Sequence, residues 1–309
     1  MSDKIKIICV VGPTASGKTS LGADIALKNG GEVVSADSMQ IYRGIHIASA
    51  APDKEEMRGV PHHLVEFLDV GSAFTVADYV KKARKCIGEI NARSKLPVIV
   101  GGTGLYIDSL VNNIVFADEE EDEELRNSLE RRYDSEGAEK MLRELGKFDP
   151  ESAARLHPNN KRRIIRAFEV YMKTGITFSE QCERSKQGES PYDVLIIGLD
   201  FKDREKLYKR INDRVELMIS NGLVAEAETT LRNKSGNGAM QAIGHKEIHG
   251  YLKGECSLDE AKEKLKQSTR RYAKRQLTWF RKNKSIKWIY ADETANAADE
   301  AQRYINNFL

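Results

Sequence analysis

The sequence Cys9-Val10-Val11-Gly12-Pro13-Thr14-Ala15-Ser16-Gly17-Lys18-Thr19 decides the fold, because residues 12–19 match the phosphate-binding pattern G-x-x-x-x-G-K-[ST]. An apolar run at residues 5–11 precedes this loop and a helix-like segment at residues 20–29 follows it, which is the context that the pattern requires. Backbone amides at a helix N-terminus bind groups with several negative oxygens. We therefore predict that Gly12–Thr19 binds a diphosphate or a triphosphate, with Lys18 supplying charge and the Thr19 hydroxyl a ligand for Mg²⁺.

The composition of the whole chain is that of an ordinary globular protein. Hydrophobic residues make up 40% of the 309 residues and charged residues 31%, and a net charge of +2 does not by itself indicate a polyanionic partner. The four cysteines are scattered, without a C-x-x-C pair, which favours a reducing compartment and no structural metal. No signal peptide or membrane-spanning apolar run is present, so we expect a cytoplasmic protein that does not contact a membrane.

Polar residues follow the predicted strands at the edge where a ligand would bind. Residues 33–38 are typical of a short buried strand with Asp37 at its carboxyl end, and such ends border the ligand crevice of an open parallel sheet. A capping role for Asp37 is the alternative. A second strand, residues 96–100, leads into Gly101-Gly102-Thr103, where Thr103 offers a hydroxyl group. Asp200 ends a further strand, and we leave open whether it is a Mg²⁺ ligand or only the end of a strand.

The middle of the chain differs from both ends. Residues 116–189 are rich in helix-like patterns and poor in strands, and Arg162, Arg163 and Arg166 are spaced to lie on neighbouring faces of one helix. We therefore predict an α/β fold with a P-loop NTPase-like parallel sheet core, formed by residues 1–115 and 190–309 with helices at its C-terminal end. Residues 116–189 are predicted to form an all-helical insertion.

The last long helix is strongly basic. It opens with a capping box, Ser257 and Glu260, and carries nine Lys or Arg residues, among them Arg275 and Arg281. Tyr272, Trp279 and Phe280 are interleaved with these cations, and such a mixture suits an RNA backbone with exposed bases. The alternative is that the aromatic side chains lie in the core and only the cations meet water.

Several segments, taken in order, resemble one enzyme family. They are residues 12–19, 35–42 (SADSMQIY), 101–106 (GGTGLY), 149–150 (DP), 156–159 (LHPN), 163–171 (RIIRAFEVY), 241–244 (QAIG) and 275–281 (RQLTWFR). Together they resemble the tRNA dimethylallyltransferases, also called tRNA isopentenyltransferases or IPP transferases, over nearly the whole chain. Two positions depart from the family pattern: Asn160 stands where Asp is more frequent, and His245 where Tyr is frequent.

The resemblance implies a substrate pair and a set of functional residues. The loop would hold the diphosphate of dimethylallyl diphosphate together with Mg²⁺, and the acceptor would be the exocyclic amine of the adenosine on the 3′ side of a tRNA anticodon. Asp37, Thr103 and Arg126 would act at the reacting centre, with Asp37 accepting the amine proton or a hydrogen bond from it. The residues expected to contact the tRNA anticodon stem-loop are Asp37, Ser38, Met39, Gln40, Thr103, Arg126, Arg162, Arg163, Arg166, Arg275 and Arg281. We expect the enzyme to be a monomer.

Three other functions use some of the same residues. Transfer of the prenyl group to a free adenine nucleotide would use the same loop, although so small an acceptor does not need a long basic helix. A P-loop kinase or NTPase would use Asp200 as a Mg²⁺ ligand. A non-enzymatic RNA-binding module would leave the complete phosphate loop unexplained.

Overall fold

A six-stranded parallel sheet forms the centre of the chain. The computed structural model describes residues 4–116, 122–186, 188–232 and 242–309. In these residues the strand order is β3-β2-β4-β1-β5-β6, and every pairing is parallel. The strands are β1 (Ile5–Val11), β2 (Glu32–Ser35), β3 (His62–His63), β4 (Pro97–Gly101), β5 (Tyr192–Asp200) and β6 (Lys287–Tyr290). The predicted α/β class with a parallel sheet is confirmed.

The burial of the sheet explains why the sequences of its strands are continuous apolar runs. Parallel strands are covered by helices on both faces, so successive side chains are buried whichever way they point. Residues 7–11 of β1 are all fully buried, and Val98 of β4 and Ile197 of β5 continue the core on either side. A Cβ atom at Gly22, on the first helix, would lie 2.3 Å from Val100 Cγ2. This glycine therefore lets the helix after the phosphate loop pack closely on the sheet.

Helices surround the sheet and begin at residues with recognisable caps. Thr75 forms a complete capping box with Asp78, and Ser257 forms the capping box with Glu260 that the sequence predicted. The helices of the sheet unit are α1 (Lys18–Lys28), α2 (His46–Ser49), α3 (Lys54–Met57), α4 (Val76–Ala92), α5 (Gly104–Val111), α11 (Arg204–Ser220), α12 (Leu223–Arg232), α13 (His245–Leu252), α14 (Leu258–Phe280) and α15 (Ala297–Phe308). None of the helices in the described part of the chain is long and apolar enough to cross a membrane.

Residues 112–189 form a separate compact unit. Its helices are α6 (Glu123–Glu136), α7 (Ala138–Phe148), α8 (Pro150–Arg155), α9 (Lys161–Thr174) and α10 (Phe178–Arg184). The unit begins four residues before the predicted boundary at 116, because its first residues pair with its last ones. Val115 N donates to Ser185 O at 3.0 Å, and Asn113 Nδ2 donates to Glu189 O at 2.9 Å.

The helical unit has its own apolar core and a buried polar anchor. Leu129, Met141, Leu145, Ile164 and Phe168 are buried together. Asp149, which is 1% exposed, accepts hydrogen bonds from Ser152 N and Ser179 N at 3.0 and 3.1 Å. The Asp149-Pro150 segment of the sequence pattern therefore caps α8 and joins it to α10.

Candidate functional site

The phosphate loop follows β1 and ends in the first turn of α1. Gly12 has a φ of 154°, and a Cβ atom there would lie 2.6 Å from Leu199 O on β5. Gly17 has a φ of 94° and precedes α1 without a side-chain cap. The buried hydroxyl of Ser16 has no hydrogen-bond partner among the described residues. Uncapped amides and an unpartnered hydroxyl at a helix N-terminus are suited to an anion with several oxygens.

Lys18 and Arg214 lie beside the loop, and neither has a carboxylate within 4 Å in the described part of the chain. Lys18 Nζ reaches only Pro13 O, at 3.3 Å. Burial lowers the pKa of Lys18 to about 8, partly opposed by the Asp37 carboxylate and reinforced by Arg214. Burial likewise lowers the pKa of Arg214 below its usual value, against the attraction of Glu56 and Asp37. An anionic ligand would provide Lys18 and Arg214 with the negative charge that the protein does not supply at hydrogen-bond distance.

Asp37 lies two residues beyond β2, and one of its oxygens closes a turn. Oδ1 accepts hydrogen bonds from Met39 N at 2.9 Å and Gln40 N at 3.4 Å. Oδ2 has no hydrogen-bond donor among the described residues. Ser38 N donates to Thr103 Oγ1 at 3.0 Å, which brings the loop after β4 against the turn. The capping role and the role at the ligand crevice are therefore compatible, since each uses a different oxygen of the same carboxylate.

Gln276 of α14 joins the phosphate loop to the loop that carries Thr103. Its Oε1 accepts a hydrogen bond from Thr14 N at 2.8 Å, and its Nε2 donates to Gly102 O at 3.0 Å. A Cβ atom at Gly102 would lie 2.1 Å from Gln276 Nε2, which explains the glycine. Burial raises the pKa of Tyr272, and the nearby Thr103 and Gln276 side chains oppose this only in part. This tyrosine therefore stays neutral.

A cavity of about 280 Å³ lies beside these residues. Charged and polar groups line it, among them Lys18, Thr19, Asp37 and Arg214. Apolar side chains line it as well: Ile211, Val215, Met218, Ile243 and Leu265. A small cavity with cations and an apolar wall suits a compact ligand that has an anionic group and a short hydrocarbon chain.

One of the three aromatic residues in α14 is not available to RNA bases, because Phe280 is 2% exposed. Trp279 is half-buried, and its Nε1 donates to Asp108 Oδ2 at 2.7 Å. For Phe280 the alternative interpretation of the basic helix, with aromatic side chains in the core, is the correct one. Tyr272 lines the cavity instead, and Arg275 lies over its ring at 5.6 Å.

Asp200 is engaged by arginine side chains. It is 1% exposed, and its carboxylate accepts hydrogen bonds from Arg204 at 2.9 Å and Arg281 at 2.6 Å. This pairing favours a structural role for Asp200 over the Mg²⁺ ligand left open above. It also gives Arg281 a protein partner, while the predicted contact of Arg281 with RNA stays a prediction.

The arginines of the helical unit divide into paired and unpaired groups. Arg126 donates to Glu169 Oε1 at 2.7 Å, and Arg166 lies 3.8 Å from the same buried carboxylate. Arg162 and Arg163 are exposed and, within the described residues, have no carboxylate within 4 Å. Of the arginines predicted to contact RNA in this unit, Arg162 and Arg163 are therefore the two whose charge no described carboxylate neutralises.

The loop is suited to a Mg²⁺ ion that is bound mainly by phosphate oxygens of the substrate. The described residues contain no cluster of three or more His, Cys, Asp or Glu that could hold a metal. Thr19 lines the cavity, and its hydroxyl makes no hydrogen bond to a described residue. Mg²⁺ commonly binds substrate phosphates and several waters with few protein ligands, so one hydroxyl is sufficient.

Sequence reasoning missed three functional candidates, Arg210, Arg214 and Gln276. Arg210 Nε donates to Ala15 O at 2.9 Å, which supports the left-handed conformation of Ala15, whose φ is 63°. The sequence could have indicated Arg214, because this charged residue lies between the buried Ile211 and Val215 of α11. Gln276 lies in the family segment 275–281, but that segment does not indicate its contacts, because its partners are 262 and 174 residues away. The segment 241–244 is only partly placed, because Gln241 lies outside the described residues.

The phosphate loop, the unpaired cations and the apolar wall define a P-loop α/β enzyme whose substrate carries a diphosphate or similar group. A family model described as IPP transferase matches residues 40–283, and the chain belongs to this family. A tRNA dimethylallyltransferase from Caldanaerobacter subterraneus is 48% identical over 293 residues, which cover 94% of this chain and 93% of that protein. The resemblance stated from the sequence segments is confirmed.

Solved structures give the same family. The full-length tRNA isopentenylpyrophosphate transferase from Bacillus halodurans is 41% identical with a TM-score of 0.72, and the match covers 98% of this chain and 96% of that one. A eukaryotic dimethylallyltransferase acting on tRNA is 29% identical with a TM-score of 0.83, covering 99% of this chain and 80% of that one.

Proposed function

We propose that this protein transfers the dimethylallyl group of dimethylallyl diphosphate to the exocyclic amine of the adenosine 3′-adjacent to the anticodon of tRNA. The products are isopentenyladenosine and diphosphate. The observation that carries the proposal is the cavity of about 280 Å³, in which unpaired cations and apolar side chains meet in a member of the IPP transferase family. The allylic diphosphate has the two chemical parts that such a cavity accommodates.

The phosphate loop and its cations would stabilise the leaving group. As the carbon–oxygen bond breaks, its electron pair leaves with the diphosphate, and negative charge grows on the phosphate oxygens. The loop amides, the Ser16 hydroxyl, Lys18 and Arg214 would donate hydrogen bonds to these oxygens, and their positions are already fixed by the fold. A Mg²⁺ ion at Thr19 would supply further neutralisation of the diphosphate when bound.

Asp37 would act on the acceptor. The nitrogen of the exocyclic amine forms a bond with the allylic carbon and must lose one proton. Asp37 Oδ2, which makes no hydrogen bond to a described residue, can accept this proton while Oδ1 keeps the turn to Met39 in place. Thr103 and Tyr272 provide hydroxyl groups beside the same carboxylate turn.

The RNA would be held by groups on both units of the chain. Arg162 and Arg163 on the helical unit are exposed and unpaired among the described residues, and Arg275 on α14 borders the cavity. The acceptor base must leave its stack to reach Asp37, at a cost of about a few kcal/mol that is smaller in a single-stranded loop. We further propose a role for Ser38, Met39, Gln40 and Arg126 in this contact, and a monomeric enzyme that acts in the cytoplasm, where tRNA is found.

A labelling experiment tests the proposed reaction. The protein is incubated with Mg²⁺, radiolabelled dimethylallyl diphosphate and either tRNA or AMP, and a parallel reaction contains ATP without a prenyl donor. We expect label in tRNA alone. Label in AMP would instead indicate transfer to free nucleotides, and phosphate release from ATP would indicate a kinase or NTPase.

The Asp37→Asn variant tests the proton acceptor. The amide oxygen can still accept the hydrogen bond from Met39 N, so the turn is retained while the carboxylate is lost. We expect turnover to fall by about 10²- to 10⁴-fold with tRNA affinity nearly unchanged. Near-normal turnover in this variant would remove Asp37 from the chemistry.

A further inference from the structure

A short helix in the wall of the cavity is capped by a distant carboxylate. The residue before α2, Ile45, provides no side-chain hydrogen bond to this helix. Instead, Ile47 N donates to Glu226 Oε2 at 2.7 Å and Ala48 N donates to Glu226 Oε1 at 2.9 Å. Glu226 lies on α12, and its side chain is 11% exposed. Charge-assisted hydrogen bonds to a largely buried carboxylate are stronger than those between neutral groups, so Glu226 fixes the start of α2.

His245 holds this carboxylate from the other side. Its Nε2 lies 2.9 Å from Glu226 Oε1, and the histidine is completely buried at the start of α13. Because the partner oxygen belongs to a carboxylate, Nε2 carries the proton and donates it. Nδ1 has no hydrogen-bond partner among the described residues. The only hydrogen bond that the described structure offers this buried imidazole is therefore the one to Glu226.

The capped segment leads to the turn that contains Asp37. Ala48, Ser49 and Ala50 line the cavity. Ala50 O accepts a hydrogen bond from Gln40 Nε2 at 2.9 Å, and Gln40 N lies at the limit of a hydrogen bond, 3.4 Å, from Asp37 Oδ1. The side-chain oxygen of Gln40 is held in turn by Ser35 Oγ at 2.9 Å. A continuous set of contacts thus connects His245 and Glu226 to Asp37, which lines the cavity.

We infer that Glu226 and His245 are positioning residues that fix residues 46–50, and through Gln40 the orientation of Asp37, without touching either substrate. The kinetic consequence of this inference rests on the proposed prenyl transfer, whereas its structural consequence does not. The contact requires a buried donor to Glu226, which a group other than an imidazole can also provide.

Two variants of His245 separate the hydrogen bond from packing. His245→Phe keeps a ring but removes the donor, and His245→Gln restores an N–H near the position of Nε2. Ile248→Val, on the same helix and fully buried, is the matched control for a loss of stability that leaves Glu226 untouched. Amide hydrogen exchange of residues 45–50 and the separate values of kcat and KM are measured for each.

We expect His245→Phe to accelerate exchange at Ile47 and Ala48 and to lower kcat by about 10- to 100-fold, with the KM for dimethylallyl diphosphate changed by less than about threefold. His245→Gln should recover most of both effects, and Ile248→Val should show neither. Exchange and kcat in His245→Phe that match Ile248→Val would overturn the inference. A wild-type protein that transfers no prenyl group would contradict the proposed function, while the exchange measurement would still test the contact between His245, Glu226 and α2.

Discussion

The two ends of β2 differ in how their charged side chains are paired. At its first residue, the Glu32 carboxylate is 3% exposed and is surrounded by His63, Arg93 and Lys95 at 2.7, 2.7 and 3.2 Å. Beyond its last residue, Asp37 shares a cavity with Lys18 and Arg214, and neither of these cations has a carboxylate within 4 Å in the described residues. The carboxylate at the first end of β2 is therefore neutralised by neighbouring cations of the fold. The two cations at the other end are not neutralised by a carboxylate, and this is where we expect a ligand.

The pKa values show what this difference means for stability. Burial alone would raise the pKa of Glu32, but hydrogen bonds from Arg93, His63 and Lys95 outweigh it and lower the pKa to about 2. Burial lowers the pKa of Lys18 to about 8, and Asp37 opposes this only in part. The ionised form is therefore favoured by the fold at Glu32 and disfavoured at Lys18. A binding site keeps such an unfavourable charge because the ligand relieves it.

Replacement of Lys18 should give the largest change in activity. We expect Lys18→Met to lower kcat/KM by about 10²- to 10³-fold, because one donor to the departing diphosphate is lost. The free energy of unfolding should stay the same or rise, since a buried cation without a carboxylate partner is removed. Labelled transfer to tRNA and urea unfolding measure the two effects. A variant that unfolds more easily but retains full turnover would show that Lys18 serves the fold.

Replacement of Glu32 should have the reverse effect. We expect Glu32→Gln to lower the free energy of unfolding by about 3 kcal/mol at neutral pH, with turnover at room temperature almost unchanged. The pKa of Glu32 is lower in the folded protein than its ordinary value of 4.5, so its stabilising contribution is present above that value and is lost as the pH falls towards about 2. Urea unfolding of both proteins across this range should show the difference disappearing. A difference that persists at the acid end would exclude the carboxylate charge as its cause.

Replacement of an arginine in the helical unit should give the smallest effect, a change in the salt dependence of tRNA binding. We expect Arg163→Ala to reduce the slope of log affinity for tRNA against log salt concentration by about 0.7 to 0.9, the contribution of one phosphate contact. Arg155 is a suitable control on the same unit, because it is already paired with Glu151 at 2.5 Å. Equal slopes for the wild type, Arg163→Ala and the control Arg155→Ala would show that Arg163 does not contact the RNA.

The sequence predicted the parts of the site that depend on local chain geometry. The loop at residues 12–19, the position of Asp37 after β2 and the capping box at Ser257 all follow from patterns a few residues long. These features are encoded where they occur, since a capping hydroxyl or a glycine with positive φ acts on its immediate neighbours.

The remaining features depend on which helix faces reach the sheet edge. The composition of α14 could not show that Trp279 turns towards Asp108, that Gln276 turns towards Thr14, or that Tyr272 lines the cavity. The sequence likewise could not show that Arg281 pairs with Asp200, which is 81 residues away. Contacts of this kind arise from tertiary packing, which hydrophobic periodicity alone does not specify.

The affinity of the protein for dimethylallyl diphosphate between about pH 7 and about pH 10 tests the central claim, that the ligand completes an unsatisfied cationic site. Lys18 is charged below its pKa of about 8. We therefore expect the affinity of the wild type to decline as the pH rises through about 8, approaching a tenfold loss per pH unit, and the Lys18→Met variant to bind weakly without this dependence. Tight wild-type binding that stays constant over the whole range, with equal binding by the variant, would contradict the claim.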